Sequence, residues 1–255
     1  MCSCEQYRWA DRPDRSAAVA RAVTLAKIAN CRTVLLRGIR EKTERNGAVE
    51  MEQAARRLGH LLGTVSGATG VDEIRGYEGD AARAYLEVFG GLIVVPEEES
   101  CFRSRSRRPP LDNVNALLSF VYTLLTHDMT AALEGVGLDP AVGYLHRDRP
   151  GRPSLGLDLV EELRPVIADR LALSLVNRRQ VQASGFRRTE DGGVVMDEGT
   201  RKEVLVAYQK RKQEEIPHPF LQERVAFGLV PHVQAMLMAR FIRGDLDGYP
   251  SFIWK

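Results

Sequence analysis

The chain is poor in cysteine, in charge of one sign, and in long apolar runs. It has four cysteines in 255 residues. Cys2, Cys4, Cys31 and Cys101 fit neither the ligand spacing of a zinc site nor a disulfide framework, and Cys2 and Cys4 read as reduced bystanders. The longest uncharged apolar runs, Val114 to Thr126 and Val225 to Ala239, fall short of the ~20 residues that cross a bilayer, and Pro231 and His232 interrupt the second. The N-terminus lacks the apolar core of a signal peptide. No membrane association and a cytoplasmic setting are therefore expected. Thirty-six basic residues stand against 34 acidic ones, a net charge of +2, which excludes a globally basic protein. Repeats and low-complexity segments are missing as well.

The chain does have an ordinary globular composition, 44% hydrophobic and 27% charged. Its length suits one large domain or two modest ones. Charge is distributed unevenly. Residues 1–100 carry 14 basic and 15 acidic side chains, residues 101–188 carry 13 and 9, and residues 189–255 carry 9 and 10. The middle segment is thus the basic one, which suits a phosphate-bearing partner and equally suits a solvated surface with arginine-rich loops.

Apolar spacing predicts a nearly all-helical fold. Helices are expected at 16–40, 50–62, 79–89, 113–134, 154–179 and 197–212, with one or two more between 222 and 243. A turn-rich link is expected at 64–70. A loop at 90–110 holds the acidic run Glu97-Glu98-Glu99 and then Arg103, Arg105, Arg107 and Arg108. Asp191-Gly192-Gly193 predicts one small hairpin over 186–196. Pro165 should kink the helix that starts at Ser154 by removing the hydrogen bond to the Glu161 carbonyl. The aromatic-tipped tail to Phe252-Ile253-Trp254-Lys255 is open to two readings, a partner anchor or a segment packed on its own domain.

Three residues stand out. Glu78 lies in Arg75-Gly-Tyr-Glu-Gly-Asp80, His146 ends Gly143-Tyr-Leu-His, and Glu161 follows Asp158 by three positions, so those two share a helix face. Each has a plainer account when read alone. Glu78 could cap a helix that starts nearby, His146 could be structural, and Glu161 could pair with Arg164 at the surface.

Taken in order, these segments resemble the CRISPR-associated endonuclease and integrase family of spacer acquisition, most closely the version found with type I, subtype C systems. Ala26-Lys-Ile-Ala-Asn30, Phe102 to Phe120, Gly151 to Pro165 and His218 to Lys255 carry the likeness further, from Gln6 onward. The resemblance implies a mainly helical catalytic domain, residues 15–255. Residues 1–14 would be the remnant of an interdomain linker, and the family's β-rich N-terminal domain would be absent. It implies Glu78, His146 and Glu161 as catalytic residues and metal ligands, with Asp158 near the site. Two carboxylates and an imidazole suit a hard cation such as Mg²⁺ or Mn²⁺. Arg103, Arg105, Arg107, Arg108, Arg147, Arg149, Arg152 and Arg164 would hold DNA phosphates. The expected activity is metal-dependent cleavage and transesterification of DNA, joining foreign fragments to a CRISPR repeat. A small second CRISPR-associated protein is the implied partner. A homodimer is implied too, weakened here. The alternative is a truncated, catalytically weak helical module that binds DNA or partner proteins.

Overall fold

Helix α2, Pro13–Arg40, is the spine of the molecule. Proline at its first positions loses no intrahelical bond there. Val19 and Val23 on one face of it and Ile28 and Leu35 on the opposite face all bury completely. The computed structural model describes residues 2–41, 47–96, 100 and 102–254. The acidic run at 97–99, Cys101 and Lys255 lie outside the described residues, as does the side chain of Cys2. Around α2 pack α1 (Cys2–Ala10), α3 (Ala48–Gly67), α4 (Val71–Glu87) and α6 (Ser154–Leu163). Helices α5 (Asn113–Gly135), α7 (Arg170–Asn177) and α9 (Val230–Ile242) complete the core, and α8 (Glu198–Gln213) flanks it. The mainly helical fold expected from the sequence is what forms.

Several boundaries differ from expectation. Residues 2–10 form a helix, whose Trp9 meets Phe241 of α9 edge-on with ring centres 5.0 Å apart. Helix α3 runs on through Thr64 to Gly67, where a link was expected. Helix α4 begins at Val71, eight residues early, so Glu78 sits mid-helix and is no cap. Gly76 and Gly79 concealed that helix, since each costs about 1 kcal/mol against alanine. Burial of Ile74, Ala81, Ala84 and Tyr85 offsets the cost. The expected hairpin forms from β1 (Phe186–Arg188) and β2 (Val194–Met196). A second, unexpected one pairs β3 (Glu215–Pro217) with β4 (Arg224–Ala226), hidden by the prolines around His218.

Helix α5 is capped as its sequence suggests, with Asp112 accepting from the Asn115 amide at 2.7 Å. At 23 residues it is long and apolar enough to cross a membrane by length and composition, more than its uncharged run implied. In this fold Leu117, Leu118, Val121, Leu125 and Met129 bury it against α6, α7 and α9.

The helix from Ser154 does not simply kink at Pro165. Residues Arg164–Asp169 form a π-helical turn between α6 and α7. Proline has no N–H to give an α-helical bond, and the wider turn absorbs the defect. Asp169, buried at the end of that turn, accepts from Tyr85 of α4 at 3.0 Å and Tyr122 of α5 at 2.5 Å.

The tail packs back on its own domain. Phe252 is fully buried, and Trp254 lies between the guanidinium groups of Arg37 and Arg170 at 4.8 and 4.4 Å. Asn30 of α2 donates to the carbonyls of Glu162 and Phe252 and accepts from the Trp254 amide. Glu162 accepts from Tyr249, Gln234 and the Phe252 amide.

Burial pushes the Asp169 carboxyl up to about 6, against the lowering effect of its two tyrosine donors. The folded state therefore keeps a proton that the unfolded chain loses near pH 4. The Asp169 contribution to stability should fall between about pH 4 and 6, by up to about 3 kcal/mol at ~1.4 kcal/mol per unit, and level off above. In denaturant titrations across that range Asp169→Asn should flatten this part of the profile and match or exceed the parent at pH 8.

Candidate metal centre

Glu161 is the buried pivot of the site, only 2% exposed on α6. A carboxylate there needs compensating charge. Arg164, one turn on, forms an ion pair with its Oε1. The ammonium of Lys27, from α2, stands 2.5 Å from its Oε2, which receives no hydrogen bond of good geometry. Burial works to raise the Glu161 pKa, but nearby positive charge, led by Arg164 and Lys27, outweighs it and holds it at about 2. Burial likewise works to lower the Lys27 pKa, and Glu161 and Glu78 outweigh it, so it is raised.

The same ammonium reaches Glu78 Oε1 from α4. One nitrogen thus touches carboxylates from two elements, which lie within two hydrogen-bond lengths of each other. His146 approaches Glu161 from the third side, its Nε2 3.9 Å from Oε1. Glu78, His146 and Glu161 therefore gather about Glu161 from α4, the loop after α5 and α6. Even so, among the described residues no three His, Cys, Asp or Glu side chains are arranged as a ready cation cage. Lys27 stands between the two glutamates, and Arg164 occupies the free side of one of them.

Asp158 has a different place from the other three. It is wholly buried one turn before Glu161 and is spent on the loop that carries His146. Its Oδ2 accepts from the amides of Tyr144 and Leu145 at 2.7 and 2.9 Å. Its Oδ1 accepts from the His146 amide at 2.9 Å and faces His146 Nδ1 at 2.7 Å. An Nδ1–H donated to Asp158 leaves Nε2 on the side of Glu161. This is how an outer carboxylate orients a ligating imidazole.

The loop is held from three more directions. Arg75, one turn before Glu78, donates twice to the Leu145 carbonyl at 2.9 and 2.7 Å. Gln6 of α1 donates to the carbonyls of Asp139 and Val142 and accepts from the Asp139 amide. Gly143 lies so close to α6 that a Cβ there would come within 2.7 Å of the Ser154 side chain. Leu145 packs with Ala17, Ala20, Ala68 and Ile74 in a small apolar cluster beneath the site. An open groove of about 510 Å³ runs past His146, with Gly70, Asp72, Arg75, Arg147 and Asp148 in its walls.

The arginines divide by environment. Arg105 is committed to the fold, donating to Asn115 Oδ1 at 2.7 Å and Ser119 at 3.0 Å and lying over the Tyr122 ring. Arg164 is 13% exposed in its side chain and stacks on the same ring at 4.9 Å. Arg103, Arg107, Arg108, Arg147 and Arg149 are exposed and Arg152 is half-buried.

Sequence reasoning assigned no role to Lys27, Arg75 or Gln6. A signal for Lys27 was available. It and Asn30 fall in the apolar register of α2 that holds Val19, Val23 and Val34, where an unpaired lysine would be costly. Removing Asp158 tests the scaffold. Asp158→Ala leaves three buried amides without an acceptor and should cost about 3 kcal/mol or more. Hydrogen exchange should show the Tyr144 to His146 amides losing protection, and an unchanged exchange pattern would refute this role.

Comparison with known proteins fits this arrangement. Residues 2–210 match the family model described as CRISPR associated protein Cas1. The chain is 52% identical over 250 residues to CRISPR-associated endonuclease Cas1 1 of Chlorobaculum tepidum, covering 98% of this chain and 73% of that one. It is 53% identical over 254 residues to CRISPR-associated endonuclease Cas1 2 of Rhodospirillum rubrum, with the same coverage. Among solved structures it superposes on a casposase bound to integration product with a TM-score of 0.83 at 20% identity, covering all of this chain and 72% of that one. It superposes equally on a Cas6-RT-Cas1–Cas2 complex at 24% identity, covering all of this chain and 26% of that one. Those two likenesses speak for the fold, and the sequence matches settle the kinship: this chain belongs to the CRISPR-associated Cas1 family.

Proposed function

We propose that the chain is a divalent-metal-dependent DNA endonuclease and integrase of CRISPR spacer acquisition, with Glu78, His146 and Glu161 as its ligand set. The observation that supports this reading most is the convergence of those three side chains on one buried point in a chain whose relatives are named endonucleases. The donor chemistry fits a hard cation such as Mg²⁺ or Mn²⁺. Two carboxylates and a neutral imidazole nitrogen are available, and Glu161 Oε2 is buried without a well-formed hydrogen bond. A bound ion would polarise the phosphoryl oxygen and stabilise the attacking or leaving oxygen.

This chain's own residues do the rest. Asp158 fixes the His146 tautomer. Arg164 and Lys27 keep Glu161 ionised at any pH the cell reaches. The groove beside His146 offers a path for a phosphodiester backbone to the site. Arg103, Arg107, Arg108, Arg147 and Arg149 are the exposed cations suited to hold phosphates, a contact that positions DNA without reading its sequence. By analogy with the integration product and the small second CRISPR-associated protein named in its structural neighbours, DNA and such a protein are the partners we carry over to this chain.

Incubation of purified protein with branched DNA and Mn²⁺, with and without chelator, tests the activity. Cleavage should require the metal, whereas none at any protein concentration would favour a DNA- or protein-binding module. Glu78→Ala and His146→Ala should each reduce cleavage more than ~100-fold, beyond the loss expected of an outer partner, with DNA affinity little changed. Affinity should fall steeply with salt, at a slope near 0.9 per phosphate neutralised. Replacing Arg107, Arg108 and Arg149 by alanine should lower that slope by one or more such increments, and an unchanged slope would mean these arginines are only solvated.

A further inference from the structure

Besides helping to hold Glu161 ionised, Lys27 is the side chain that joins the two glutamates. We infer that Lys27 and a divalent cation compete for Glu78 and Glu161, so that entry of the ion swings the ammonium off both carboxylates. The inference rests on the proposed metal site and concerns how that site is filled.

Three observations carry it. First, the contacts overlap. The Lys27 ammonium touches Glu78 Oε1 and Glu161 Oε2, the carboxylate oxygens an ion between these residues would use. An ion ~2.1 Å from such oxygens would share them with a second positive centre at contact distance. Secondly, the charges already balance. Two carboxylates face two resident cations, Lys27 and Arg164, so a divalent ion meets no unneutralised pair unless one cation leaves. Thirdly, both cations are mostly buried but they are held differently. Arg164 is stacked on Tyr122 and fixed in the π-helical turn, whereas Lys27 holds its charge on a flexible four-carbon stem. The arrangement also accounts for three potential ligands that converge without forming a cage.

Calorimetric titration with Mn²⁺ tests this with the whole chain, Lys27→Met and Glu78→Gln. The parent should bind Mn²⁺ and Glu78→Gln should lose it. Lys27→Met keeps the length of the side chain and removes its charge, and it should bind about tenfold more tightly or better. That is the low end of the 10- to 1000-fold by which a neighbouring charge changes a carboxylate's affinity for a proton. If Glu78→Gln loses the ion while Lys27→Met binds equally or more weakly, the metal site stands and the competition is refuted. If the parent binds no Mn²⁺, the metal site falls and the competition with it. Trace acetylation of the parent, read by mass spectrometry, is a check that needs no variant. Mn²⁺ should raise labelling of Lys27 relative to Lys202 and Lys210, which are exposed on α8. Unchanged or reduced labelling would overturn the inference.

Discussion

A carboxylate at the bottom of a helical core must be matched by charge or it cannot stay ionised, and Glu161 is such a carboxylate. Much of the architecture around it answers that requirement. The spine α2 delivers Lys27, the π-helical turn keeps Arg164 one turn away, and the loop after α5 brings His146 to the open side. Removing a partner from a buried charge pair is far more damaging than the pair is stabilising. The geometry of three helices and a loop is therefore tied to one side chain, the one we propose as a cation ligand.

The elements with strong periodicity were legible in the sequence. Helices α2 and α5 declared themselves by apolar spacing, and the first hairpin by its Asp-Gly-Gly turn. What hid the rest was chemistry that local propensity misreads. Two glycines masked the centre of α4, prolines masked the second hairpin, and an amphipathic but mostly polar opening masked α1. Of the candidate site, the residues proposed for it could be named from the sequence and the wiring between them could not. Glu78, His146 and Glu161 could be singled out with help from resemblance. That Asp158 would hold the His146 loop through backbone amides could not be read from spacing. The same holds for Arg105, whose arginine-rich setting resembles a phosphate contact while its guanidinium is buried on Asn115, Ser119 and Tyr122.

A second polar layer lies directly behind the first. Glu162 faces away from the site toward Tyr249, Gln234 and the Phe252 amide, and burial raises its carboxyl to about 7 despite those donors. Adjacent residues on α6 thus meet opposite fates: Glu161, among cations, is held ionised, and Glu162, among neutral donors, is driven toward its protonated form. The difference lies wholly in the partners each helix face meets.

The tail that satisfies Glu162 and Asn30 comes from residues 249–254, more than 200 positions after the helix it completes. The backbone hydrogen bonds of α2 and α5 are local and can form as each helix is made. The chain cannot close the layer behind Glu161 until Trp254 has left the ribosome, and until then the Asn30 amide and the Glu162 carboxylate must find water. The finished layer therefore waits on residues 249–254, and a chain not yet extended that far has no settled backing for Glu161.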